Sequence, residues 1–337
     1  MRGLAKLAPG AGSVALVDRG EVASPAPGHV VVDVTAAGVC GTDLHIADGE
    51  FPCTPPVTMG HEVTGVVAAL GDGVDPSWSG ARVVCETYFS TCDRCAWCRD
   101  GRINLCPQRR SIGSHVDGGF APSLVVPARN LHRVPAAVGE HAAALTEPLA
   151  CVCHSLCDPS RVTPGDDVLV VGPGTVGLLA AQVARAGGGN VRVVGTAADE
   201  VRLAAAAELG FETEVQVAGA GRRAAAGADV VVECSGSAGG AARCLTSVRP
   251  GGRYVQIGLF GKPVTFELDV VCYREVTVSS GFASTPASWR RALRLLADRT
   301  VLLDPLVTEV AALEDFQRVF DATRHSRGIK FVFDPRR

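Results

Sequence analysis

A chain of 337 residues is long for a single core and points to two domains. Its 47% hydrophobic and 20% charged residues make a globular composition, and a net charge of −3 implies no basic face for nucleic acid, although Arg94, Arg99, Arg102, Arg109 and Arg110 make one stretch locally basic. No apolar run approaches the ~18 residues of a membrane span, and the first twenty residues lack the apolar stretch of a signal peptide, so the cytoplasm is the expected compartment.

In that compartment thirteen cysteines are expected to hold metal or stay as thiols rather than form disulfides. A strand-like run, VVVDVTAAGVC, closes on Cys40. Gly60-His61-Glu62 opens a second run, VTGVVAAL, and two strand ends can converge on one ion. A zinc that does chemistry takes three protein ligands from thiolates, imidazoles and carboxylates and keeps one position open. Cys40 and His61 supply two of them. The third is Glu62 or Glu147, with Glu62 also able to act as an alternate ligand.

Cys92, Cys95, Cys98 and Cys106 follow C-x2-C-x2-C-x7-C. Four thiolates fill the tetrahedral shell of a zinc ion, so this lobe props up a loop and leaves no place for substrate. An iron–sulfur cluster is the competing reading, but the only Cys-Pro step, Cys106-Pro107, stands at the wrong spacing. Glu147 precedes an apolar helix-like stretch, LACVCHSL, where it is either a ligand or a carboxylate at a helix N-terminus. Cys151 and Cys153 in that stretch read as small buried hydrophobes.

Residues 164–189 place an apolar run, VLVV, before Gly172-Pro-Gly174-Thr175-Val176-Gly177, and a helix pattern, LLAAQVARA, after it. This is the dinucleotide fingerprint in the strand–turn–helix setting it needs. The first glycine makes the tight turn, the second admits the pyrophosphate, and the third lets helix pack on strand. Strands and helices then alternate through NVRVVGT, DVVVECSG and GRYVQIGLFG, which argues for a doubly wound parallel sheet. NAD sites usually carry an acid ~20 residues past the fingerprint. Here the second strand ends in Gly195-Thr196-Ala197, and carboxylates come only at Asp199 and Glu200. That end, with the Thr196 hydroxyl, leaves space for a 2′-phosphate within reach of Arg202 and leans towards NADP(H); the alternative is that Asp199 or backbone groups hold the ribose and NAD(H) binds. Later, Thr285 or Ser284 caps a helix with Pro286 in its first turn and Trp289, Ala292, Leu293, Leu295 and Leu296 as its apolar residues.

Taken together, Cys40-Gly-Thr-Asp-Leu-His45, Gly60-His61-Glu62, the four-cysteine lobe, Glu147-Pro148 and the glycine fingerprint resemble the zinc-dependent medium-chain dehydrogenases. Glu-Pro in place of a cysteine ligand is similar to the sorbitol and threonine dehydrogenase branch. The resemblance implies an α/β chain built of a GroES-like β domain and a Rossmann domain. The GroES-like catalytic domain would cover 1–150 with its structural zinc lobe at 85–110, the Rossmann domain 151–282, and the return to the first domain 283–337. It implies two zinc ions per chain, a nicotinamide cofactor, a small-molecule alcohol as substrate, and a homodimer or homotetramer with neither nucleic acid nor membrane as partner.

In the mechanism so implied, the open zinc polarises an alcohol oxygen and hydride passes to the nicotinamide. Thr42 takes the first hydrogen bond of a proton relay and His45 delivers the proton to solvent. Asp43 orients His61, or else simply caps a helix. Sorbitol-type enzymes carry a Tyr soon after the His of this motif and an Arg-Tyr pair before the late helix. This chain has Ile46 at the first place and Ala283 and Ser284 near the second, which implies a pocket poorer in hydrogen bonds. A threonine 3-dehydrogenase-like amino-alcohol or aminocyclitol enzyme is the alternative, and a non-catalytic nucleotide-binding relic is the reading from another class.

Overall fold

The computed structural model describes residues 1–20, 22, 24–216 and 227–337. Packing divides the chain into two units, Met1–Glu147 with Leu303–Arg337, and Pro148–Leu302.

The first unit is a β structure. Its longest strand, His29–Gly38, is buried along almost its whole length, with Val30, Val32 and Val34 fully enclosed, Val31 and Thr35 nearly so, and Asp33 alone exposed, the pattern of a strand covered on both faces. It pairs antiparallel with Glu62–Leu70 on one side and with Lys330–Phe333 on the other. The second pairing is how the C-terminal segment rejoins a domain begun 300 residues earlier. Phe333 meets Phe120 edge to face at 5.0 Å and closes the core beneath it. A short helix, α1 (Gly41–Ala47), follows the long strand. Its last carbonyl, Ala47 O, accepts from the wholly buried Lys6 Nζ at 3.0 Å. The same ammonium also donates to the carbonyls of Gly10 and Gly12. A cation at a helix C-terminus is favourable, and here it pins α1 to the loop that follows the first strand.

The second unit is a six-stranded sheet of Asp167–Val171 (β1), Asn190–Gly195 (β2), Glu212–Val215 (β3), Ala228–Glu233 (β4), Val248–Gln256 (β5) and Thr277–Ser280 (β6). All neighbours are parallel and the order is β3-β2-β1-β4-β5-β6. This is the doubly wound arrangement, and a helix, α2 (Thr175–Ala186), follows β1. Two boundaries differ from those read in the sequence. The first falls inside the helix Thr146–Cys157, between Glu147 and Pro148. The second falls at Leu303 rather than 283, because the helix Pro286–Ala297 packs with the sheet domain. Trp289, Ala292 and Leu296 are buried, Arg291 Nη1 donates to Cys157 O at 3.0 Å, and the Gln182 side chain bonds both N–H and C=O of Leu302. Thr285 caps that helix by accepting from Ser288 N, and Pro286 opens it, as the sequence indicates.

Candidate active site

The register of the two long strands builds the first site. Gly38 lies opposite Glu62 across the ladder, so Cys40, two residues past one strand end, and His61, one residue before the other, arrive at the same edge. Cys40 stands in extended conformation as the N-cap of α1. Asp43, at the third helical position, turns back so that Cys40 N donates to its Oδ2 at 2.9 Å. Its other oxygen, Oδ1, lies 3.7 Å from His61 Nδ1. The two readings of Asp43 are therefore compatible: the carboxylate that closes the helix cap is the one that faces the imidazole.

Ligand atoms of Cys40, His61 and Glu62 lie within 4.8 Å of one another. Burial opposes a charged His61, but Asp43 and Cys40 outweigh it and hold the imidazole well above its ordinary pKa. Thiolate, imidazole and carboxylate are the donor set of a zinc with one coordination position left open. Glu62 is almost wholly buried, and Lys330 Nζ lies 2.6 Å from each of its carboxylate oxygens, donating to Oε1. Both oxygens therefore face the ammonium, and only Oε1 meets it in hydrogen-bond geometry. Burial raises the Glu62 pKa while Lys330 pulls it down; burial lowers that of Lys330 while Glu62 raises it, and both end above their ordinary values. Glu147 is buried too, but it is not one of the three converging residues, and its Oε1 accepts from Thr87 Oγ1 at 2.8 Å. Thr42 Oγ1 lies 3.7 Å from Cys40 Sγ. His45 is half exposed, with Nδ1 2.7 Å from Glu50 Oε2.

The four-cysteine lobe forms a second cluster. Asp93 takes a left-handed φ of 54°, which winds the chain back after Cys92, and Cys95 caps a helical turn, Ala96–Arg99, that carries Cys98. Sulfur separations are 3.5 Å for Cys95–Cys98, 3.6 Å for Cys92–Cys106 and 4.0 Å for Cys92–Cys98. Four sulfurs ~2.3 Å from one ion stand ~3.8 Å apart along the edges of the tetrahedron. The lobe thus has the dimensions of a single zinc, whereas an iron–sulfur cluster would hold its thiolates farther apart. Backbone N–H groups of Arg94 and Cys95 donate to Cys92 and lower its thiol to about 6.

In the second unit the three glycines of the fingerprint each show their reason. Gly172 has φ of 99°, and a Cβ there would meet Ser235 N at 2.6 Å. A Cβ on Gly177 would lie 1.8 Å from Gly172 O, so α2 can pack on the turn only without one. Around Gly174 nothing lies within 4 Å of the Cβ position, which leaves backbone open at the head of α2, where Thr175 and Val176 follow. These residues fit a dinucleotide pyrophosphate. At the end of β2, Asp199 Oδ2 accepts from both N and Oγ1 of Thr196, at 2.9 and 2.8 Å, and its Oδ1 faces Arg202 Nη1 at 3.4 Å.

Comparison with known proteins meets this geometry from outside. Residues 26–136 match the family described as Alcohol dehydrogenase GroES-like domain, and residues 175–298 match that described as Zinc-binding dehydrogenase. A sorbitol dehydrogenase of Halalkalibacterium halodurans is 37% identical over 99% of this chain and 99% of its own length. The chain belongs to the zinc-dependent medium-chain dehydrogenases. An L-threonine 3-dehydrogenase of Deinococcus radiodurans is 31% identical, covering 99% of this chain and 98% of that one. A crystal structure described as a zinc-binding dehydrogenase from Sinorhizobium meliloti 1021 bound to NADP superposes with a TM-score of 0.90 at 32% identity, over 99% of both chains.

This medium-chain dehydrogenase is an oxidoreductase with the GroES-like and Rossmann folds that the sequence implied. No helix among its described residues is long and apolar enough to cross a membrane. Two positions raised by the resemblance are buried. Ile46 lies in the core of the first unit. Ser284 is 1% exposed and accepts from Trp289 Nε1 at 3.0 Å, so its hydroxyl serves the late helix. Cys153 is buried as expected, whereas Cys151 is only half-buried.

Sequence reasoning missed Lys330 and Thr87. Lys330 had a signal: the chain has only three lysines amid many arginines, and two of them, Lys6 and Lys330, are buried. The lysine stem packs close beside Gly38, whose Cβ would lie 2.9 Å from Lys330 Cε. In the zinc-free protein, replacing Lys330 with Met leaves the buried Glu62 carboxylate uncompensated, and a loss of about 3–5 kcal/mol of unfolding free energy is expected in urea titrations. The double change with Glu62→Gln should recover part of that loss, since no unpaired charge then remains.

Proposed function

We propose that the enzyme oxidises a secondary alcohol or polyol to the ketone, or runs the reverse reduction, with zinc held by Cys40, His61 and Glu62 and with Glu147 as the alternate ligand. The observation that carries this is the convergence of those three donors within 4.8 Å. When bound, zinc supplies Lewis-acid polarisation of the alcohol oxygen, and the nicotinamide supplies the hydride acceptor. The protein's part is positional and protonic. Asp43 fixes both Cys40 and His61, and Lys330 balances the charge of Glu62. Thr42 stands beside the ligand sulfur as the first proton acceptor. His45, held through Nδ1 by Glu50 on an exposed face, keeps Nε2 for exchange with solvent. A second zinc in the four-cysteine lobe is structural.

NADP(H) is the proposed cofactor. Both oxygens of Asp199 are engaged, by Thr196 and by Arg202, so that carboxylate is not left free to grip a ribose diol. The NADP bound by the Sinorhizobium meliloti relative supports the same choice. Changing Arg202 to Ala is expected to weaken NADP(H) about tenfold, as loss of a charged hydrogen bond does, and to leave NAD(H) within about twofold, measured by nicotinamide fluorescence. A homodimer is the proposed assembly, with a homotetramer as the other closed form. The edge strand β6 exposes Val278, and Leu268, Tyr273 and Phe282 nearby in sequence are also exposed. All thirteen cysteines are free of disulfides, which supports a cytoplasmic location.

The deciding experiment incubates the zinc-loaded enzyme with NAD or NADP and a panel of secondary alcohols, polyols and L-threonine, following absorbance of the reduced nicotinamide. Turnover of a simple secondary alcohol or polyol is expected. Turnover confined to L-threonine or an amino alcohol would replace the reading with its alternative, which the Deinococcus radiodurans relative favours. No turnover with any member would overturn both.

A further inference from the structure

The sheet order reverses between β1 and β4: from β1 the chain winds to β2 and β3 on one side, then returns to place β4 on the other. In such sheets the ligand lies in the crevice at that reversal, beyond the carboxyl ends of the strands. Val171, the last residue of β1, is paired across the ladder with Glu233, the last of β4. One lip of the crevice is therefore the glycine turn, and the other begins at Glu233.

Glu233 is wholly buried. Its Oε1 accepts from Ser235 N at 2.9 Å and from Ser235 Oγ, and its Oε2 accepts from Gly236 N at 3.2 Å and Gln256 Nε2 at 2.8 Å. The main-chain oxygen of the same residue accepts from Ile257 N and Gly258 N, both at 2.9 Å. Every one of these donors is a neutral N–H or O–H. A buried carboxylate is costly without such bonds, and here all of them lead to the loop 235–236 and to residues 256–258, the last residue of β5 and the start of the loop after it. Glycines admit the arrangement on two sides: a Cβ on Gly240 would lie 2.8 Å from Glu233 Oε1, and one on Gly258 2.5 Å from Oε2. The loop so fixed bears on the fingerprint itself, since Ser235 N and Cα stand 2.6 and 2.7 Å from the Cβ position of Gly172.

We infer that Glu233 is a positioning residue for the dinucleotide: its carboxylate binds the loop after β4 and the end of β5 into one rigid wall that braces the Gly172 turn. The inference rests on the crevice being the dinucleotide site. A carboxylate is needed because four donors converge on it and it only accepts; a glutamine must turn its own N–H2 toward at least one of them.

The test titrates NADH and NADPH into the wild-type protein and into Glu233→Gln, by nicotinamide fluorescence. The dissociation constant of the preferred dinucleotide should rise about tenfold or more, from the loss of hydrogen bonds to a charged group. Zinc content should stay at the wild-type value. In steady state the cofactor KM should rise while kcat at saturating cofactor and the alcohol KM stay near wild type, a split that general loss of structure does not give. Binding by Glu233→Gln within twofold of wild type overturns the inference. If that variant does not fold, Ser235→Ala and Gln256→Met, which each remove one donor, are measured instead. A rise of a few-fold in both supports the inference and no change in either overturns it. A wild-type protein that binds neither dinucleotide would defeat the assignment of the crevice itself, a result separate from the others.

Discussion

Cys40→Ser is expected to lower turnover at least ~10³-fold, because Lewis-acid polarisation of an alcohol oxygen is worth several kcal/mol and each ~1.4 kcal/mol is a factor of ten in rate. Serine keeps the volume of the side chain and the extended N-cap conformation of α1, whose main-chain bond from residue 40 N to Asp43 Oδ2 does not involve the sulfur. What it removes is the thiolate of the three-ligand group, since a serine hydroxyl stays protonated near neutral pH. The remaining pair, His61 and Glu62, is too few for tight binding of zinc at an open site, so zinc per chain should fall by one. Dinucleotide affinity should hold within about twofold, because the glycine turn and Glu233 belong to the other unit. Zinc analysis, nicotinamide titration and turnover with the best alcohol measure the three quantities on one sample. A variant lacking that zinc yet turning over at the wild-type rate would exclude metal-assisted hydride transfer.

The parts of the site carried by spacing were legible in the sequence. C-x2-C-x2-C-x7-C and G-x-G-x-x-G fix neighbours along a short stretch of chain, so local geometry alone brings their atoms together. Cys40 and His61 were legible for a subtler reason: each ends or opens a valine-rich run, and antiparallel pairing of the runs joins their ends. Lys330 was hidden because nothing local links it to Glu62. It reaches that carboxylate only when the last strand of the chain pairs with His29–Gly38. Thr87 lay hidden in the same way, 60 residues from the carboxylate it contacts. The point of return was misplaced by about twenty residues because the helix at 286 is amphipathic whichever domain it packs on, and its pattern does not say which.

The second large effect is expected in the lobe. Cys95→Ser removes one of four thiolates whose separations match a single zinc. Structural zinc sites of this kind contribute about 10–16 kcal/mol of apparent binding free energy at neutral pH, and that energy is folding energy for the segment that surrounds them. Residues 92–106 contain little regular structure of their own. The stretch contains a helical turn of four residues and a three-residue turn at Ile103–Leu105, and Trp97 on its surface is 42% exposed. Losing the ion should therefore melt the lobe and lower the apparent Tm by several degrees or more. The change should also speed amide exchange across 92–106 while leaving exchange in the Rossmann strands near wild type. Turnover per correctly folded molecule should fall far less than in Cys40→Ser, because no lobe sulfur belongs to the Cys40, His61 and Glu62 group. The comparison separates the two metals by their consequences: one variant keeps its stability and loses its chemistry, and the other does the reverse. A Cys95→Ser protein that kept two zinc ions and the wild-type Tm would show that the four sulfurs do not form a structural site.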